Sequence, residues 1–193
     1  MKDEDFDKAG NQVQLILGST RLAETIGDWS IICTRNLLTK IGKNSDYVTQ
    51  DFIDTFLQFA GFFHYSINLK LFQELNQNRC KDASERIIKI FSNTCGKVYY
   101  KETHDSMPDA MDAYANEINS FIHNIITWYV EQVMSKENRN EDRFMLSVSL
   151  LSYSISQKIE VQDYKLLIED VLATVTNVMD PKKIDESIAM LTK

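Results

Sequence analysis

Histidines, cysteines and scattered acids are the residues whose types could do chemistry in this chain of 193 residues. The sharpest pair is His104-Asp105. An imidazole beside a carboxylate can hold a divalent cation, and a bound cation lowers the pKa of its water until that water is a usable nucleophile. His64 lies upstream of the pair, and Asp163 and Asp170 lie downstream. His64 and His123 both fall in apolar stretches, where a histidine on a helix flank usually hydrogen-bonds a backbone carbonyl or a hydroxyl. The three cysteines, Cys33, Cys80 and Cys95, are odd in number, widely spaced and without a Cys-x-x-Cys pair. That excludes a disulfide framework and fits a reducing compartment.

His64, His104-Asp105 and a distant Asp163 or Asp170 resemble the ligand set of metal-dependent phosphohydrolases of the HD type. Those are all-α enzymes in which an upstream His, a His-Asp dipeptide and a distant Asp hold one or two cations. The family's dipeptide lies in an apolar helical context, whereas here it lies in the polar stretch 101–106. Asp105 and Ser106 have a second explanation, because Ser106, Pro108 and Asp109 read as a helix start with a cap hydroxyl, a first-turn proline and an early acid. We therefore expect no metal and no cofactor, and keep His64, His104 and Asp105 as the residues to test.

Other signatures of catalysis are missing from the sequence. It has no Gly-x-Gly-x-x-Gly, P-loop, Gly-x-Ser-x-Gly, His-Glu-x-x-His or Glu-x-x-His. Ser147, Ser149, Ser152, Ser154 and Ser156 have no neighbouring His or Lys to activate them. Acid pairs such as Asp109/Asp112 and Asp82/Glu85 sit where helices are expected to begin, and the helix dipole accounts for acids there.

The elements that must position these residues are helices. Only 6 Gly and 2 Pro occur, too few for the turns of an all-β domain. The organising stretch is 51–75, the most aromatic part of the chain. Phe52, Phe56, Phe59, Phe63 and Ile67 keep helical spacing on one face, and Phe62, Tyr65, Leu69 and Phe72 lie round the other. A helix apolar all round is a buried one. Gly61 in its middle marks a place where another helix can cross closely.

The first segment, about 6–41, is a helix in which Gly18 and Gly27 mark a kink, a break or a close crossing. It stops at 42–45, and Ser45 or Asp46 caps the next. A helix over 82–99 follows, capped by Asp82 or Ser84, and then an amphipathic helix from about 106 to 134. The run 144–157 alternates like a strand from Leu146 to Leu150, yet Phe144, Val148, Leu151 and Ile155 share a helical face; we read it as helix. Asp163 caps a helix to about 179, and Asp180-Pro181 opens the last. The predicted fold is thus all-α: residues 1–193 as a single globular domain of about six to eight helices round a buried central helix at about 47–76.

Hydrophobic residues are 44% and charged residues 25%, with a formal net charge of -7 and a pI near 5.0. Repulsion from phosphates argues against nucleic acid and against an anionic membrane surface. The N-terminal stretch lacks the pattern of a signal peptide, so the expected setting is cytoplasmic. With 10 Phe, 8 Tyr and 2 Trp and no catalytic set, the leading expectation is a non-enzymatic protein–protein interaction module. It would be an adaptor, inhibitor, immunity or assembly-subunit type that binds a protein partner or itself through an acidic helical surface. Tyr99, Tyr100, Trp128 and Tyr129 are its interface candidates, since aromatics make good anchors. The alternatives are the HD-like phosphohydrolase and a helical sensor with an apolar small-molecule pocket near Phe62, Phe63 and Tyr65.

Overall fold

In a computed structural model, the backbone is described for residues 3–46, 49–103, 108–134 and 142–192, and side chains for 10–46, 49–97, 112–133 and 142–192. The described residues form seven helices and no strand: α1 Asp3–Lys40, α2 Gln50–Glu74, α3 Gln77–Thr103, α4 Pro108–Met134, α5 Arg143–Lys158, α6 Lys165–Val178 and α7 Pro181–Leu191. The all-α expectation holds. None of these helices is long and apolar enough to cross a membrane.

Several helices begin or end where local chemistry satisfies free backbone groups. In α1, Leu22, Ile26, Trp29, Cys33 and Leu37 are buried at three- and four-residue spacing, and neither glycine interrupts it. It stops at Gly42, whose φ of 73° suits glycine. There Gly42 N–H donates to the Thr39 carbonyl at 3.2 Å and Lys43 N–H to Leu38 at 2.9 Å, the two bonds that close a helix C-terminus. Thr49, not Ser45 or Asp46, caps α2, with its hydroxyl accepting from Phe52 N–H at 3.3 Å. α3 starts five residues before the predicted Asp82, because Asn76 already accepts from Arg79 N–H at 3.0 Å. Asp82 and Ser84 lie inside the helix. Asp142, Asp163 and Asp180 accept from the backbone N–H two residues on, at 2.9, 3.0 and 3.0 Å.

The serine-rich run is helix, and the serines show how it tolerates burial. The hydroxyls of Ser147, Ser149 and Ser152 donate to the carbonyls of Arg143, Met145 and Val148 at 2.8, 2.9 and 2.8 Å. Each thereby meets its own hydrogen-bonding need within the helix.

α2 is the axis. It packs against α1, α3, α4, α5 and α7, and every residue from 58 to 65 is buried. Its last turns are different: Leu69 is 38% and Phe72 69% exposed, which corrects the expectation that the helix is covered along its whole length. At Gly61 a Cβ would stand 2.3 Å from Cγ2 of Ile125, so α4 crosses α2 there as the sequence suggests. α7 crosses α1 in the same way at Gly18, where a Cβ would meet the Leu191 side chain at 2.7 Å. Ion pairs tie α1 to α6, Lys40 to Asp170, and the axis to α7, Lys70 to Asp185.

Candidate ligand-binding cavity

The packing leaves a cavity of about 890 Å³ between the first four helices, toward the upper end of the range for small-molecule sites. Its origin is visible in α1. One stripe of that helix carries bulky residues into the core, while the neighbouring stripe carries Thr20, Ala23 and Gly27 to the cavity wall. At Gly27 a Cβ would meet nothing within 4 Å. The sequence offered Gly27 as a kink, break or crossing; it is none of these and opens space instead.

α2 and α3 supply the aromatic wall. Phe52 and Phe56, one turn apart, lie nearly parallel with ring centres 6.3 Å apart, and Phe56 continues onto Phe91 of α3 at 6.0 Å and 17°. Such near-parallel ring pairs add roughly 0.5–1.5 kcal/mol each beyond their buried area. Ile53 and Leu57 of α2, Ile90 of α3 and Ile118 and Phe121 of α4 extend it, all of them half-buried. Charge is confined to exposed positions: Glu24, Asp28 and Arg35 on α1 and Glu117 on α4. Cys95 also lines the cavity, and burial pushes its thiol up to about 12. It stays protonated at neutral pH and is a poor nucleophile. The lining therefore offers burial of apolar surface and contact with ring faces.

No family model, curated protein or solved structure matches this chain.

Among the described residues, those singled out for metal chemistry do not meet. His64 is 2% exposed, its Nε2 has no hydrogen-bond partner, and its ring lies nearly perpendicular to that of Phe91 with centres 5.0 Å apart. Asp163 is spent on the start of α6 and Asp170 on Lys40. Among the described residues no three His, Cys, Asp or Glu side chains are grouped to hold an ion. His104 and Asp105 lie outside the described residues, and so do the side chains of Tyr99 and Tyr100. Trp128 is half-buried against Tyr129 at 5.1 Å. Tyr129 is fully buried and stacked on Tyr65 at 5.0 Å, so its place is the core and not an interface. Burial raises both phenols.

The pocket expected near Phe62, Phe63 and Tyr65 is displaced. Those rings fill solid core, Phe63 against Trp29 at 5.3 Å and Phe62 against Tyr129 at 6.2 Å. The cavity opens earlier on the same helix, at 52–57. The contribution of α1 was missed. Its one trace in the sequence is the run of small residues Thr20, Ala23 and Gly27 at helical spacing.

Proposed function

We propose that this chain is a non-enzymatic helical binding module that holds a small apolar molecule between α1, α2, α3 and α4. The observation that carries the proposal is the 890 Å³ cavity walled by Phe52, Phe56 and Phe91. Well-packed interiors rarely keep voids larger than a water molecule. A half-open apolar space of this size forfeits burial that larger side chains would supply, and an occupant restores it.

The test uses N-phenyl-1-naphthylamine, a neutral dye whose emission rises in apolar surroundings. The wild-type protein is expected to bind it saturably. Gly27→Leu directs a side chain into the cavity from a helix that gains propensity by the change. It is expected to weaken dye binding at least tenfold while the melting temperature holds or rises. Leu166→Ser, which removes a side chain 73% exposed outside the cavity lining, is expected to leave binding intact and so reports on surface adsorption. Failure of the wild-type protein to bind the dye would remove the reading.

A protein partner is the second reading, favoured by a separate observation. Val13, Ile16 and Leu17 of α1 are 49–55% exposed, and helical spacing continues their stripe into Thr20 and Glu24 of the cavity wall. Two exposed apolar turns leading into a groove suit a helix of a partner or of a second copy. Sedimentation of the protein across a hundredfold concentration range would show self-association as a rising mass. A constant monomer mass, together with no partner in pull-downs, counts against this reading.

A further inference from the structure

We infer that the occupant of the cavity is an amphiphilic cation, an apolar body among the phenylalanines with an ammonium group at the rim. The inference rests on the cavity being a binding site, and deepens it by naming the charge of what binds.

Its first support is the distribution of charge. Glu24 and Asp28 stand one turn apart on α1, both exposed and both lining the cavity, and Glu117 of α4 joins them. Like charges four residues apart on a helix destabilise it by a few tenths of a kcal/mol. None of these three carboxylates is in an ion pair among the described residues. Arg35 is the one basic side chain among the described lining residues, and it lies seven residues beyond Asp28, about 10 Å further along the helix axis. The other end of the lining on α1 is thus purely acidic.

The second support is the aromatic wall. The faces of Phe and Tyr rings attract a cation, and more strongly where water is excluded. Phe52, Phe56 and Phe91 form a continuous stack, buried at both ends and half-buried at Phe56, with the half-buried Tyr114 and Phe121 also in the lining. An ammonium group that leaves water at the mouth of this cavity meets ring faces and carboxylates together. A carboxylate or phosphate headgroup meets repulsion from both, within a protein whose net charge is already -7. A neutral hydrophobe gains the apolar contacts alone. Because the acids are exposed, their contribution is screened by salt, so the preference is greatest at low ionic strength.

The experiment displaces N-phenyl-1-naphthylamine with three ten-carbon amphiphiles kept below micelle formation: decyltrimethylammonium, decanol and decanoate. At low salt the cation is expected to displace the dye at a concentration at least tenfold below decanoate and several-fold below decanol. The gap should narrow in 0.5 M NaCl. In the Glu24→Gln/Asp28→Asn/Glu117→Gln variant the ratio of cation to alcohol affinity should fall several-fold but stay above one, because the ring faces remain. Glu169→Gln, an exposed acid on α6 outside the lining, should keep the wild-type ratio. If the dye binds but decanol or decanoate competes as well as the cation, the inference fails and the cavity reading stands. If the dye itself does not bind, both fail.

Discussion

Gly61→Ala is expected to destabilise the protein by about 2 kcal/mol, although the same exchange favours most helices. A Cβ at this position would stand 2.3 Å from Cγ2 of Ile125, with Cδ1 and Cβ of the same residue at 3.1 and 3.3 Å. Ile125 is buried and β-branched, so its χ1 has few alternatives and the ring of close atoms cannot swing aside. Either α4 moves off α2 or the side chain leaves its rotamer, and overpacking of that kind costs roughly 1–3 kcal/mol, occasionally more. Helix propensity returns only about 1 kcal/mol. Gly27→Ala supplies the internal comparison, because nothing lies within 4 Å of its Cβ. There the propensity gain stands alone, and stability should rise by roughly 0.4–1 kcal/mol.

Gly18→Ala falls between them. The atoms its Cβ meets first, at 2.7 and 2.9 Å, belong to the far end of the Leu191 side chain, near the end of α7, which can turn; the Ser187 carbonyl at 3.0 Å cannot. Urea midpoints for the three variants should therefore rank Gly27→Ala above Gly18→Ala above Gly61→Ala. For a chain of this size a 2 kcal/mol loss lowers the melting temperature by roughly 4–8 °C. Ile125→Ala, which vacates the space, should recover part of the loss in Gly61→Ala, a coupling expected of residues in direct contact. A Gly61→Ala midpoint at or above wild type would mean that α4 does not cross α2 at Gly61.

These three glycines also show how far sequence can be read. Helical periodicity and the scarcity of Gly and Pro were enough for the fold class, and the phenylalanine spacing was enough for the axis. A glycine in a helix says only that a side chain is missing. At Gly61 a neighbouring helix fills the space; at Gly27 nothing does. The difference belongs to α4 and to the cavity, neither of which is local to the glycine. Leu69 and Phe72 carry the same pattern as Phe59 and Phe63, but the buried residues of α2 end at Leu71, and where neighbours end is again non-local. Asp82 and Ser84 are good cap residues passed over because Asn76 offered a cap earlier. Glu24 and Asp28 look like an ordinary solvated face until the aromatic wall is set beside them. The charged rim was therefore illegible, whereas the phenylalanines of the site were visible as helix-face residues, and the pocket was expected further along α2, near Phe62, Phe63 and Tyr65.

His64 should make the protein acid-labile in a way that one substitution can isolate. Its ring is buried in the axis helix at right angles to that of Phe91, with Nε2 lacking a hydrogen-bond partner. Burial first, and the nearby His123 second, hold its pKa down to about 3 from the ordinary 6.5. Protonation is thus suppressed in the folded chain and ordinary in the unfolded one. Above pH 6.5 neither state binds the proton, and His64 adds no pH dependence. Below pH 6.5 the unfolded chain takes up a proton that the folded chain refuses, so stability falls as pH falls, by up to about 1.4 kcal/mol per pH unit until the folded value is reached. Between pH 6.5 and 4.5 the loss from this residue alone is on the order of 2–3 kcal/mol.

Carboxylates titrate over part of the same range, which is why the comparison must be between proteins and not between pH values. His64→Leu keeps an apolar side chain of similar size and removes a buried nitrogen without a partner, so at pH 7 it is expected to be neutral or stabilising. The stability difference between His64→Leu and wild type should then widen steadily in favour of the variant from pH 6.5 to 4.5. The His64 ring resonances should show no titration above pH 5. Because Phe91 both covers His64 and lines the cavity, dye binding in the wild-type protein should be lost together with the fold on acidification, and persist to lower pH in His64→Leu. Parallel pH profiles for the two proteins would show that His64 titrates like a solvated histidine, and its buried place in the axis of the fold would have to be abandoned.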